Sequence, residues 1–349
     1  MRLEIGGREV SKSKSAGRMG SDGSSPCELG GGVYGVLSSP ALPNLPYQGD
    51  AMLNLYDAVR NNPSYSKLVI GDFLFAEYTC GSNLKMLPNW TETDYFVHVV
   101  TGKKTWHTPD GVWKVEPGET VFFKKGATIS EQHFEVEVCL LMVFIPDALM
   151  RSTVREVMES LNLGTKDCPP TKVALRVEGD VALAALFQSM RVYLAAMEKP
   201  PEPLVRLKLK ELVMSVLTSG TNAELAAYLC QMSSSDAPSI GEIMEANFRY
   251  NLSLEEYAKL CHRSLSSFKR EFQAHFNESP GKWLLQRRLE HAAGLLRLSK
   301  MNITEVALES GFEHVSHFSR VFKERFGAAP VSYRQEKGEV QVRDSSVTA

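Results

Sequence analysis

The chain has 349 residues, of which 43% are hydrophobic and 23% are charged, and its formal net charge at pH 7 is −2. This length predicts two domains with tails, and the hydrophobic fraction is ample for folded cores. No apolar run approaches the roughly 20 residues of a membrane span, and the first residues lack the apolar segment of a signal peptide. We therefore predict neither a membrane span nor a secretory signal, and a cytoplasmic protein.

Six cysteines are scattered singly, at positions 27, 80, 139, 168, 230 and 261. Because none forms a CxxC pair, the pattern favours free thiols in a reducing compartment. A redox-sensing pair is the alternative, but free cysteines are usually buried and inert.

Residues 1–45 are rich in Gly, Ser, Lys and Pro and predict a flexible tail. From 46 to 146, short hydrophobic runs separated by turn signals predict a small β-barrel. The clearest predicted strands are Tyr95–Val100, Thr120–Phe123 and Glu135–Ile145. Two further runs flank Pro109-Asp110-Gly111, which predicts a hairpin.

Could this barrel hold a metal or a ligand? His98, His107 and His133 are single histidines without a His-x-His pair, so a metal site is disfavoured against structural or surface roles, and no cofactor is predicted. Four aromatic residues line a small-molecule pocket or belong to a plain core, and the sequence leaves both open. They are Tyr95, Phe96, Trp106 and Trp113.

Residues 147–232 have helical periodicity, with Asp147 as the expected N-cap of the first helix. The apolar surface of these helices predicts either a dimer interface or packing within the chain. Residues 233–238 are a predicted interdomain linker. Residues 239–336 form the second domain, and residues 337–349 a second flexible tail.

The second domain is the basic part of the chain. Positions 259 to 334 carry thirteen Lys and Arg against seven Asp and Glu, whereas positions 1 to 235 carry twenty-three against twenty-six. A basic segment of this kind suits the neutralisation of nucleic-acid phosphates.

The same domain contains an internal repeat with a period of 50 positions. A fixed-period match means that one supersecondary unit is used twice. Its members are the pairs Phe268/Phe318, Arg270/Arg320, Phe272/Phe322, Phe276/Phe326 and Pro280/Pro330.

Each copy predicts a helix, a tight turn and a second helix, over 254–276 and 303–326. On each second helix the phenylalanines share one face and polar or basic residues share another. Such a helix is suited to the major groove of DNA. One long helix, ending at Leu298, is predicted between the copies; at about 1.5 Å per residue it spans roughly 27 Å, close to one DNA turn.

Several of these elements resemble the DNA-binding domain of the AraC/XylS family of bacterial transcription regulators. The matched elements are Leu254–Ala258, Ser264, the set Phe268, Arg270 and Phe272, Arg288-Leu289 with Ala292 and Leu295-Leu296, Ile303–Ala307, Gly311-Phe312 and Phe318–Tyr333. The resemblance implies seven helices and two helix-turn-helix units. The first unit departs from the family, because Cys261-His262-Arg263 stands where a small residue, Gly and an apolar residue are usual.

The resemblance also implies which residues contact DNA. Base contacts fall on the second helix of each unit: Ser266, Lys269, Arg270, Val315, Ser316, His317 and Arg320. Phosphate contacts are expected from Ser264, Lys282, Arg287 and Lys323. Arg270 and Arg320 are expected to bind guanine, and phosphate or an intramolecular carboxylate is the alternative.

The N-terminal region resembles the cupin sensor domain of the same family, through the Gly111–Gly126 spacing. It also resembles activators of type III secretion genes of the ExsA kind, through Tyr95–Lys104 and Val115–Gly126. These likenesses imply self-association as a homodimer, RNA polymerase as a partner at a promoter, and a regulatory protein or small-molecule effector as the input.

The predicted fold is therefore α+β with two domains: a cupin-like β-barrel with flanking helices, and an all-α domain with two helix-turn-helix units joined by a long helix. The predicted function is that of a sequence-specific DNA-binding transcription activator and not of an enzyme. The alternative is a cupin-type small-molecule-binding protein or enzyme with a helical adaptor domain.

Overall fold

The computed structural model describes residues 52–79, 84–135, 137–162, 172–179, 181–196, 199–234 and 238–335. All of them belong to one unit of the fold, Pro40–Ala349. The predicted tails at 1–45 and 337–349 and the middle of the predicted linker lie outside the described residues.

The first part of the described chain forms two β-sheets, whose strand orders are β1-β4-β9-β6-β7 and β11-β8-β5-β10-β3-β2. Paired strands are antiparallel except for β1 and β4. The strands are β1 (Leu53–Asn54), β2 (Ser66–Ile70), β3 (Phe73–Thr79), β4 (Met86–Thr91), β5 (Asp94–Thr101), β6 (Lys104–Thr108), β7 (Gly111–Val115), β8 (Thr120–Phe123), β9 (Gly126–Glu131), β10 (Cys139–Ile145) and β11 (Ala174–Val177). A short helix, α1 (Leu55–Asn61), follows β1.

The two sheets enclose an aromatic core. Tyr95 stacks on Phe123 and Phe144 with ring centroids 5.1 and 5.0 Å apart, and Trp106 packs against Phe123 from the other sheet. Tyr95 and Trp106 therefore belong to the core. Of the two readings that the sequence left open for these residues, the structure supports core packing.

Two strand predictions were right: β5 contains the predicted run Tyr95–Val100, and β8 coincides with Thr120–Phe123. The hairpin around Asp110 is confirmed, with Trp106 paired to Trp113. The strand predicted from Glu135 is wrong at its start, because β10 begins at Cys139. Glu135 and Glu137 are exposed and charged, whereas every residue of β10 is buried, as expected for a strand covered on both sides.

Four helices cover the outer face of the six-stranded sheet and share a core with it. They are α2 (Asp147–Leu161), α3 (Val181–Ala195), α4 (Glu202–Thr218) and α5 (Ala223–Ser234). The N-cap prediction for Asp147 is wrong. Pro146 occupies the cap position, Asp147 is the first helical residue, and its carboxylate binds charged side chains instead of backbone amides.

The C-terminal part is helical and has two cores, one for each half of the repeat. Its helices are α6 (Ile240–Asn247), α7 (Leu254–Leu260), α8 (Leu265–Phe276), α9 (Pro280–Leu298), α10 (Ile303–Glu309) and α11 (Val315–Phe326), followed by helical residues 330–335. In the described part of the chain, no helix combines the length and hydropathy that a membrane span requires.

Candidate nucleic-acid interface

Both repeats begin in the same way, with a capping box. The Ser253 side chain accepts from the Glu256 amide while the Glu256 carboxylate accepts from the Ser253 amide, and Asn302 and Glu305 repeat this exchange at α10. Each box satisfies two amides that a helix N-terminus otherwise leaves without a partner. The boxes fix where α7 and α10 begin.

Both repeats also turn in the same way. The Arg263 amide donates to Ala258 O and the His262 amide to Lys259 O; Phe312 and Gly311 make the same pair of bonds at the end of α10. This is the Schellman motif, which ends a helix on a residue with positive φ. That residue is His262 (φ 54°) in the first unit and Gly311 (φ 83°) in the second.

The second helix of each unit is held by its phenylalanines. Phe268 and Phe272 are fully buried in the first core, as are Phe318 and Phe322 in the second. Trp283 closes the first aromatic cluster and Tyr333 the second. Since these stripes determine which side of each helix faces the protein, they also determine which side faces solvent.

On α8, the residues predicted to contact bases are exposed: Ser266, Lys269 and Arg270. On α11, Ser316, His317 and Arg320 are exposed, whereas Val315 packs partly against the second core. The Arg320 guanidinium lies 2.8 Å from the Glu324 carboxylate, with both side chains more than 60% exposed. An exposed pair of this kind contributes little, so Arg320 can exchange Glu324 for another acceptor at small cost.

The four residues predicted to contact phosphate lie in different surroundings. Lys282 and Lys323 are exposed. Ser264 is the N-cap of α8 and accepts from the Ser267 amide. Arg287 is already engaged: its Nε lies 3.0 Å from both carboxylate oxygens of Glu245, and its guanidinium covers the Phe248 ring.

Contacts at the centre of the domain join the two units. Arg288 on α9 donates to Phe248 O and Tyr250 O, at 2.7 and 2.8 Å, and so ties the segment between α6 and α7 to the long helix. In the same segment, Arg249 pairs with Glu309 of α10 at 2.8 Å. The sequence marked Arg288 only as a matched position, because its bonds are to backbone carbonyls that no side-chain pattern reveals.

Gly311 lies against this segment. A Cβ atom added at Gly311 would be 2.8 Å from Arg249 O and 3.0 Å from Arg288 Nε. The second turn is therefore in close contact with the first half of the domain, and only a glycine fits there.

The barrel histidines have three separate partners. His98 Nδ1 lies 3.0 Å from Thr120 Oγ1, His107 Nε2 lies 2.9 Å from a Glu131 oxygen, and His133 Nε2 lies 2.8 Å from Thr105 Oγ1. Among the described residues, no group of three or more His, Cys, Asp and Glu is arranged to hold a metal ion.

The chain is similar to known regulators over most of its length. The family model described as the ExsA N-terminal regulatory domain matches residues 94–228, and a helix-turn-helix domain model matches residues 257–336. The virulence regulon transcriptional activator VirF of Yersinia enterocolitica is 24% identical over 68% of this chain and 88% of VirF.

Two further proteins align with a similar share of the chain. The HTH-type transcriptional regulator ExsA of Pseudomonas aeruginosa is 25% identical over 71% of this chain and 88% of ExsA. The solved structure of ToxT from Vibrio cholerae aligns with a TM-score of 0.34 and 13% identity, over 75% of this chain and 97% of ToxT.

Proposed function

Because this chain belongs to the AraC/XylS family of transcription regulators, we propose that it activates transcription by binding DNA with both helix-turn-helix units at once. One observation carries the proposal. Two copies of a single unit each bury a phenylalanine stripe and expose a polar, basic face, and one long helix connects them. Helices α8 and α11 lie in two consecutive segments of the major groove.

Bases are contacted from the exposed faces of these two helices. The contacts come from Ser266, Lys269, Arg270, Val315, Ser316, His317 and Arg320. Arg270 and Arg320 bind guanine, since a guanidinium matches its O6 and N7 acceptors. Ser264, Lys282 and Lys323 bind phosphate, and Arg287 does so by exchanging Glu245 for it.

A salt series tests binding through phosphates. The probe is a duplex that the full chain selects from a random-sequence library. Each phosphate contact contributes about −0.9 to the slope of log affinity against log salt concentration. With three cationic phosphate contacts we expect a slope of about −3 or steeper. An affinity that does not change with salt concentration would contradict DNA binding.

Self-association through α3 is supported by an unusual exposed stripe. Val181 and Val192 are 85% and 66% exposed, and the exposed residues between them along this face are Ala184, Ala185 and Gln188. The stripe carries no charge, so it can pair with a second copy of itself around a two-fold axis without repulsion. The occupant that we propose is therefore a second copy of the chain.

Sedimentation of the full chain tests this dimer. Val192→Asp places two charges in the paired stripe and is expected to shift the chain to monomer. Val112→Asp is the matched control, because Val112 on β7 is 58% exposed outside the stripe. A monomeric wild-type chain, or a dimer that survives Val192→Asp, would exclude this interface.

Activation of transcription is supported by the relatives, since VirF is a virulence regulon transcriptional activator. RNA polymerase at a promoter is the expected partner. The match to a regulatory-domain model supports an input, from a regulatory protein or a small molecule, at the barrel and its helices. Transcription with purified RNA polymerase from a promoter carrying the selected duplex should increase when the chain is added; a decrease would indicate repression.

A further inference from the structure

The barrel and the first helix-turn-helix unit share one hydrophobic core. Met52, Trp90 and Ala127 of the barrel belong to the same buried cluster as Phe268 and Phe272 of the first unit. The cluster around Phe318 and Phe322 draws its members, among the described residues, from positions 289–333. The barrel is therefore joined through this core to the first unit and not to the second.

A buried hydrogen bond fixes the register of this interface. The Ala127 amide in β9 donates to Asn247 Oδ1 in α6 at 2.8 Å, and Tyr257 of α7 donates to Asn247 O at 2.9 Å. Gly126 makes the approach possible, because a Cβ atom there would be 2.7 Å from Asn247 Oδ1. The bond links the beginning of β9, in the barrel, to the first helices of the DNA-binding domain.

Beside this bond lies an interdomain ion cluster, formed by Lys125, Asp147 and His262. Lys125 is paired with Asp147 inside the regulatory region, and both side chains are 5% exposed. His262 Nε2, from the turn of the first unit, lies 3.3 Å from Asp147 Oδ2 and 3.4 Å from Lys125 Nζ. Burial disfavours the Asp147 carboxylate, but the hydrogen bond from His262 and the charge of Lys125 outweigh it and bring its pKa to about 2.

His262 occupies a backbone position that suits glycine. It has φ 54° where the second unit has Gly311 with φ 83° in the same Schellman motif. A residue with a Cβ atom is strained in this region, and such strain persists where the surroundings determine the residue. In this unit the imidazole reaches the barrel domain, which gives the non-glycine residue a role.

We propose that the interdomain ion cluster is the connection through which the barrel domain controls DNA contacts of the first unit alone. The proposal rests on the DNA-binding function proposed above. The cluster contacts the turn at His262, two residues before Ser264, which is the N-cap of the recognition helix α8. Lys269 and Arg270 stay exposed in this arrangement, so the contact orients the first unit and does not mask it.

His262→Gly in the full chain tests the cluster without harming the turn. It removes the imidazole and relieves the positive φ, while Asp147 keeps Lys125 and Arg151, 3.6 Å away, as partners. We expect hydrogen exchange of the Ala127 amide to become faster by about tenfold or more, because that amide is protected across the interface. Asn277→Gly is the matched control: Asn277 also has φ 54°, at the end of α8.

A second measurement tests the selectivity for one unit. The measured quantity is the ratio of affinities for the selected duplex and for a duplex with a base change in the segment bound by α8. This ratio should be about fivefold smaller for His262→Gly than for the wild-type chain. Discrimination in the segment bound by α11 should not change. Equal loss in both segments, or unchanged exchange at Ala127, would overturn the proposal. A wild-type chain that selects no duplex would instead refute DNA binding. Hydrogen exchange at Ala127 would then test by itself whether the ion cluster holds the interface together.

Discussion

At Gly311 the backbone conformation and the space around the residue both restrict the side chain. The residue has φ 83°, and a Cβ atom would approach Arg249 O to 2.8 Å. Gly327 has a similar φ of 77° but nothing within 4 Å of an added Cβ. The two positions therefore separate the cost of the backbone conformation from the cost of the close approach.

We expect Gly311→Ala to lower the free energy of unfolding by more than Gly327→Ala does. Gly327→Ala should cost about 1–2 kcal/mol, the penalty of the left-handed region for a residue with a Cβ atom. Gly311→Ala adds the displacement of backbone at Arg249. Urea unfolding of both variants measures the difference, and equal losses would mean that the close approach carries no energy.

Arg320→Ala should weaken binding to the selected duplex by about 1–3 kcal/mol and relax the preference at one base pair. The reason is the loss of a bidentate contact from an exposed arginine on the recognition face. Arg325→Ala removes the same charge from α11 at a residue whose guanidinium lies over the Phe326 ring. If Arg320→Ala and Arg325→Ala weaken binding equally, with sequence preference intact, Arg320 does not contact a base.

His291 on α9 makes the stability of the domain depend on pH. Burial, with the nearby charges of Arg249 and Arg287, lowers the pKa of His291 to about 4. As the pH falls, the unfolded chain binds a proton at His291 before the folded chain does. The free energy of unfolding is therefore unaffected by His291 above about pH 6.5 and decreases as the pH drops towards 4. His291→Phe keeps a ring against Phe248 and should flatten the decline of unfolding free energy across this range. An unchanged decline would assign it to other groups.

At the scale of elements, the long helix α9 orders the domain through Arg288. The guanidinium holds two backbone carbonyls of the segment between α6 and α7, and it is largely removed from solvent. If the donor is removed, the two carbonyls remain buried without a hydrogen bond, and the free-energy cost of removing them from water is no longer offset. The orientation of the first unit on α9 therefore depends strongly on this one side chain.

Arg288→Met should lower the free energy of unfolding by about 1–3 kcal/mol, and Arg288→Lys should recover only part of it, because one ammonium lacks the planar fork of a guanidinium. Arg297→Met is the control, since Arg297 is exposed in the last turn of the same helix. Its effect should stay within about 0.5 kcal/mol. Thermal unfolding monitored by circular dichroism distinguishes the three variants, and an Arg288→Met variant as stable as the wild-type chain would contradict this role of Arg288.

Elements with apolar periodicity were predictable from the sequence, as α8, α11 and β10 show. Strands β4 and β9 were not predicted, because they bury polar residues that hide the alternation. Thr128 Oγ1 donates to Asn89 Oδ1 at 3.0 Å, and Asn89 Nδ2 donates to Leu87 O, so these groups are satisfied inside the barrel. Pro88 within β4 also argued against a strand.

At the scale of the whole molecule, the positive charge is concentrated in one part of the chain. The excess of Lys and Arg lies between positions 259 and 334, where the repeat is found. The contacts that join the barrel to the first unit could not be predicted from the sequence. Lys125, Asp147 and His262 are far apart along the chain, and none of them forms a motif with its sequence neighbours. The one signal was His262 in place of a turn glycine.

Under the proposed function, both units bind one duplex together, at a spacing set by the 19 residues of α9. The most direct measurement is the affinity of the full chain for its selected duplex after five base pairs are inserted between the two segments. Half a helical turn moves one segment to the opposite face of the DNA, since one turn is about 10.5 base pairs. We predict that the affinity falls to that of a duplex with one segment scrambled; an affinity unchanged by the insertion would contradict the claim.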